Sequence, residues 1–284
     1  MGDGRLAVIT RVARAPALRR VNVAFLGFSI AEHATWLAVA VYALQRGGVA
    51  EVGIVAAAQL VPVVVLTPFS SYAGDRFRPQ RALAAGYAVQ CASMLATAWS
   101  MQAGHGVTTY AFAAVAATAI SFTRPVMGSL MPAVTHTPSD LVAANVVAGT
   151  IELIGNVLGP VLAGVLMVVG SPATVFAASA ALTGAAAVAV ALIRGATDDR
   201  AAVPTGRAIV SQMAAGFATV HRSPMLRLLL VFVAGSGLVR GIGDVAFTVV
   251  AEDRLDGGGG AAGYLAVVYG VGGLLAVAGS TRLD

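Results

Sequence analysis

Eight apolar stretches, each long enough to cross a bilayer, follow one another along the 284 residues. They cover residues 21–44, 52–70, 82–101, 109–130, 141–169, 173–193, 226–250 and 261–278. A hydrocarbon core about 30 Å thick takes roughly 20 apolar residues in helical form. Backbone polar groups find no water there, so only helices or closed barrels span it. The ten-residue alternating segments of a barrel are absent from the chain. The pattern therefore predicts an all-α, polytopic membrane bundle. Gly47-Gly48, Gly104–Gly106 and Gly170-Ser171-Pro172 read as tight turns between spans.

The few charges are sorted by side. Only 11% of residues are charged, against about 25% in a soluble domain. All 18 basic residues are arginine, which reflects base composition rather than membrane physics. Fourteen arginines, counting Arg227 at the very start of the seventh span, fall on the side of the N-terminus, and only Arg46 and Arg254 on the other. The positive-inside rule then predicts both termini in the cytoplasm, with the first span acting as its own insertion signal. The net charge of +5 does not indicate nucleic acid, because the arginines follow topology and form no patch. Cys91 is the single cysteine, so the chain holds no internal disulfide or cysteine-rich metal site. No nucleophile triad, metal-ligand spacing or phosphate-cradling loop appears, so neither an enzyme nor a cofactor is expected.

One long polar interruption divides the chain. Residues 194–224 hold Asp198, Asp199, Arg200, Pro204 and Arg207 and read as a cytoplasmic linker. They separate a six-helix unit, 1–193, from an incomplete unit, 225–284, that holds two spans.

Three stretches resemble the major facilitator superfamily. Between the second and third spans runs Ser71-Tyr72-Ala73-Gly74-Asp75-Arg76-Phe77-Arg78-Pro79-Gln80-Arg81, similar to the family's Gly-x-Leu-Ala-Asp-Arg-x-Gly-Arg-Arg/Lys loop. Asp75 and Arg76 match and Arg81 keeps a positive charge, whereas Ser71, Ala73 and Arg78-Pro79-Gln80 depart. The resemblance implies a gating role for Asp75, Arg76 and Arg81. The alternative is a solvated turn that fixes topology. In the fifth span, Gly155-Asn156-Val157-Leu158-Gly159-Pro160-Val161-Leu162-Ala163-Gly164 is similar to a motif of proton-coupled exporters, with Ala163 in place of a glycine. Independently of any family, Gly155, Gly159 and Ala163 form a smooth stripe that admits a neighbouring helix, and Pro160 removes one backbone hydrogen bond. Third, Thr123-Arg124-Pro125 closing the fourth span, Met131-Pro132 after it and Leu141-Val142-Ala143-Ala144-Asn145 resemble the exporter branch that includes the enterobactin exporter and macrolide and tetracycline pumps. The family has twelve helices in two bundles, so the resemblance implies an ending after the eighth helix.

Ionisable groups inside spans are costly and are functional candidates by default. Glu32 sits mid-way along the first span, which the resemblance places on the central cavity, and is the first candidate for proton coupling. A structural hydrogen bond is its alternative. His33 points about 100° away and reads as packing. Arg124 resembles the family's proton-transfer arginine or snorkels to the interface. Glu152, three residues before the glycine stripe, is its expected partner. Arg240 and Asp244, four apart in the seventh span, share a face and can pair with each other, with a place in the proton-coupling or substrate cavity as the alternative. Gln59 and Gln90 read as interhelical hydrogen bonds, and Trp36 and Trp99 as packing or interface anchors.

These residues point to a secondary transporter in the cell membrane, an antiporter that exports a hydrophobic or amphipathic small molecule in exchange for protons. Its partners are then the substrate, protons and the bilayer. The rival is a truncated, non-transporting remnant, or the membrane anchor or sensor of a fusion protein.

Overall fold

The computed structural model describes residues 16–76, 78–135, 137–193, 218–255 and 268. Among these residues the regular structure is helical, with no strands. We number the long helices α1 (Pro16–Arg76), α2 (Pro79–Gln102), α3 (Gly106–Val134), α4 (Pro138–Val169), α5 (Pro172–Ala191) and α6 (Pro224–Leu255). The first is two helices in one: Gly47 (φ −142°, ψ 18°) and Gly48 (φ 69°, ψ −164°) leave helical geometry at the expected turn. Gly48 occupies the left-handed region that glycine enters without steric cost. The break yields arms of residues 16–46 and 49–76.

Four of the helices after α1 start on proline, as the described part of α1 does at Pro16. Pro79, Pro138, Pro172 and Pro224 each take the first turn, where a missing N–H is harmless. The residue before each proline is held extended or acts as cap. Thr137 accepts a hydrogen bond from the Asp140 N–H at 3.2 Å, and Ser171 with Thr174 forms a reciprocal capping box. These starts lie one to three residues ahead of the apolar runs, because the polar cap belongs to the helix and escapes a reading by hydropathy. The region between the second and third spans shortens for the same reason. Helix α1 runs on to Arg76 and α2 begins at Pro79, so Asp75 and Arg76 end one helix and Arg81 opens the next.

Helix α3 also differs from expectation. It runs through Pro125, as the expected span 109–130 does, and then on through Pro132 to Val134. Each internal proline costs a hydrogen bond, on the order of 3 kcal/mol in a soluble helix. Around the two prolines, Val126, Met127, Leu130 and Met131 are all buried, and their packing holds the helix together.

Helix α1 is the hub. It packs on α4, α5 and α3, while α2 packs on α5 and α3. Two apolar clusters fill the interior. One lies toward the Gly47-Gly48 end, around Ala34, Ala38, Met94, Ala163 and Phe176. The other lies toward the arginine-rich end, around Val21, Phe28, Tyr87, Leu130 and Val190. Fully buried alanines are frequent in these contacts, as close helix approach in membranes requires.

The glycine stripe of α4 meets α1. A Cβ built on Gly159 would sit 2.6 Å from His33 Cβ and 2.8 Å from the Ile30 carbonyl oxygen, and one on Gly155 would sit 2.9 Å from the Ser29 carbonyl carbon. Both contacts advance by four residues, from Ser29 to His33 and from Gly155 to Gly159, so the two helices run parallel there. Pro160, Ala163 and Gly164 are buried along the same stretch.

Leu18–Leu66, which holds both arms of α1, Gly106–Pro132, Pro138–Val169 and Pro172–Ala191 are long and apolar enough to cross a membrane. Helix α2 is long enough, at 24 residues or about 36 Å. Gln90, Ser93, Thr97 and Ser100 lower its hydropathy, and all four are buried against neighbouring helices. Helix α6 has a shorter apolar run, Pro224–Gly237, touches α1 only lightly, and leaves Leu228, Val231 and Phe232 exposed. The expected linker and the eighth span fall largely outside the described residues.

Replacing Gly155 with leucine should lower the melting temperature in detergent by several degrees, because the new side chain meets α1 backbone. Gly149→Leu on the same helix, where an added Cβ meets nothing within 4 Å, should melt within a degree or two of the parent. Thermal unfolding of the two purified variants checks the contrast.

Candidate functional site

Three ionisable residues from three helices converge between α1, α3 and α4. Arg124 Nη1 donates to Glu152 Oε1 at 2.6 Å and Arg124 Nη2 to Glu32 Oε2 at 2.9 Å. One guanidinium thus bridges two carboxylates through its two terminal nitrogens. With all three ionised the group carries a net charge of −1. The side chains are 40%, 44% and 22% exposed for Arg124, Glu152 and Glu32, so they border open space rather than a sealed core.

The glycine stripe positions this triad. Glu152 stands one turn before Gly155, and Glu32 one turn after the Ser29 that Gly155 touches. Bringing α4 onto α1 at these glycines sets the two carboxylates on either side of one arginine from α3. His33 takes no part in the triad. Its Nδ1 donates to the Ser29 carbonyl at 2.8 Å, and its Cβ faces Gly159.

Glu152 on Arg124 is the pairing expected from sequence. Glu32 as a second partner of Arg124 was not expected, because no spacing within the first or fourth span brings the two together. Gln90 bridges two helices, its Nε2 donating to Thr123 Oγ1 at 2.7 Å and to the Ala119 carbonyl at 3.1 Å. Gln59 is buried, but its Nε2 has no partner among the described residues. Trp36 lines a small cavity with Gln59. Trp99 is 64% exposed beside His105 at the Gly47-Gly48 end, the position of an interface anchor. Arg81 is exposed in the first turn of α2. The side chains of Asp75, Arg76, Arg240 and Asp244 lie outside the described residues, and the described residues hold no group of three or more His, Cys, Asp or Glu suited to a metal ion.

A second polar group at the opposite end was missed altogether. Arg46 Nε lies 3.1 Å from Glu51 Oε1 across the Gly47-Gly48 break. Tyr110 of α3 donates to the same oxygen at 2.5 Å, and its ring meets Tyr42 edge-on with centroids 5.9 Å apart. Arg46 also lies over Gly106, where an added Cβ would collide with the guanidinium.

The family model of the Major Facilitator Superfamily matches residues 21–283. The chain belongs to that superfamily. Comparison with curated proteins and with solved structures returns no match. The family consists of transporters, so the chain is a multi-pass membrane transport protein, and the bilayer and a small-molecule substrate are its partners.

Arg124→Gln should lower stability by stranding two carboxylates side by side, and adding Glu152→Gln should recover part of the loss. A double-mutant cycle of thermal melts should give a coupling of about 0.5–3 kcal/mol between the two positions.

Proposed function

We propose that the chain is a proton-coupled exporter of hydrophobic or amphipathic small molecules that works by alternating access. The sharing of Arg124 by Glu32 and Glu152 carries this reading. One arginine neutralises one carboxylate, which leaves one acid in excess inside the membrane-spanning region, where an uncompensated charge is costly. A proton on either acid cancels the excess, and so does a cationic or donor group on the substrate. Proton and substrate then compete for one site, which is the thermodynamic requirement for antiport.

Glu32 is assigned as the coupling acid, Arg124 as the group that holds it and Glu152 as the second acceptor. In this cycle Glu32 gains a proton from the side of higher proton activity, and Arg124 falls back on Glu152 alone. Opening to the other side and arrival of the substrate release the proton. Export as the direction is supported by the fifth-span sequence from Gly155 to Gly164. Fourteen arginines on one side support cytoplasmic termini in the cell membrane. We assign residues 1–193 to an N-terminal bundle, 194–224 to a linker and 225–284 to part of a second bundle. Asp75, Arg76 and Arg81 are assigned to gating, and Arg240 and Asp244 to proton coupling or the substrate cavity.

Proton movement into vesicles holding the purified chain should accompany substrate addition, and Glu32→Gln should abolish that linkage while leaving the protein folded. Unchanged linkage in the variant would remove Glu32 from the mechanism.

A further inference from the structure

An apolar cavity among the described residues lies on the far side of α3 from the triad. It has a volume of about 490 Å³ and opens between the second arm of α1, α2 and α3, within the range of ligand pockets, about 300–1,000 Å³. Pro62 and Leu66 form one wall, Ala85, Gly86 and Val89 the second, and Val115 belongs to the third. Leu66, Val89 and Val115 are each 40–48% exposed, so the cavity opens outward toward the surroundings of the bundle. Its hydroxyls are already engaged. Thr118 donates to the Ala114 carbonyl at 2.8 Å, and Thr123 to that of Ala119 while accepting from Gln90. The walls therefore suit hydrocarbon.

The α2 wall of this cavity leads back to two arginines that precede its lining residues. Arg78 and Arg81 open α2, and the helix carries two stripes that start on them. Arg81, Ala85 and Val89 form one and Arg78, Ala82 and Gly86 the other, with a four-residue spacing throughout. Both stripes run from an arginine into the cavity, and Arg81 lies about 12 Å below Val89 along the axis. A charged group at the membrane surface with an apolar slot rising toward the bilayer centre matches the shape and polarity of one lipid. Basic pockets between helices at the arginine-rich face bind anionic headgroups.

We infer that this cleft is a binding site for an anionic phospholipid of the leaflet facing the arginine-rich end, its phosphate at Arg81 and Arg78 and one acyl chain against Ala85, Gly86 and Val89. The inference is independent of the coupling role of Glu32.

The test uses the purified full chain with two probes of identical acyl chains, dioleoyl phosphatidylglycerol and dioleoyl phosphatidylcholine, and reads bound lipid by native mass spectrometry. The parent should favour phosphatidylglycerol, by about fivefold for each arginine engaged. Arg78→Gln with Arg81→Gln should bring that preference to about one. Gly86→Leu should remove retention of both lipids. A Cβ at Gly86 meets nothing within 4 Å, so this variant fills the cavity without displacing protein, and an unchanged melting temperature without added lipid verifies its fold. Ala85→Leu, on the exposed side of the same wall, repeats the filling independently. Equal retention of the two lipids by the parent, as an apolar helix or substrate as the occupant would give, overturns the inference. So does a preference that survives loss of both arginines, or retention that persists in both filled variants.

Discussion

The contact between α4 and α1 at Gly155 and Gly159 places the rest of the N-terminal bundle. Neither position tolerates a side chain, because α1 backbone and Cβ atoms stand where one would begin. In lipid, burial of apolar surface cannot drive helices together, so association depends on close van der Waals contact over small residues. Here that contact does chemical work as well. It sets Glu32 and Glu152 near enough to share Arg124, and a separation larger by one methyl group on each glycine would leave the arginine a choice between them.

Several interior hydroxyls are satisfied within their own helix. Thr35 donates to Ala31, Thr97 to Ser93 and Thr183 to Ser179, each across one helical turn. Such bonds satisfy a hydroxyl without binding a neighbour. Gln90 departs from this habit by joining α2 to α3, and Arg20 closes the end of α5 by donating to the Leu192 carbonyl at 2.6 Å. The resulting bundle packs largely by shape, with charge reserved for the triad, the Arg46–Glu51 pair and the arginine-rich end.

Much of the architecture could be read from the chain, for reasons that differ by element. The apolar runs of α1, α3, α4 and α5 exceed bilayer thickness, and nothing else folds that way. The glycine stripe was visible because its four-residue spacing is independent of context. Helix starts were displaced by one to three residues, since Thr137 and Ser171 are extended caps and the helices begin on the prolines that follow them, ahead of the apolar runs. The continuation of α3 past residue 130 through Pro132 was hidden because it is tertiary burial of Leu130 and Met131 that offsets the proline's cost. Pairing of Glu152 with Arg124 followed from adjacent spans, whereas the second bond, to Glu32, depends on the α1–α4 register and has no local signature. Arg46, Glu51 and Tyr110 belong to two turns far apart in sequence, so no spacing rule unites them.

That last group has a mechanical consequence. By lashing the tip of the first hairpin to the start of α3, it makes both arms of α1 and their neighbour a single lever at that extremity. Splaying those members apart has to break the Arg46–Glu51 pair and the Tyr110–Glu51 bond first, whereas a tilt of the three together leaves both intact.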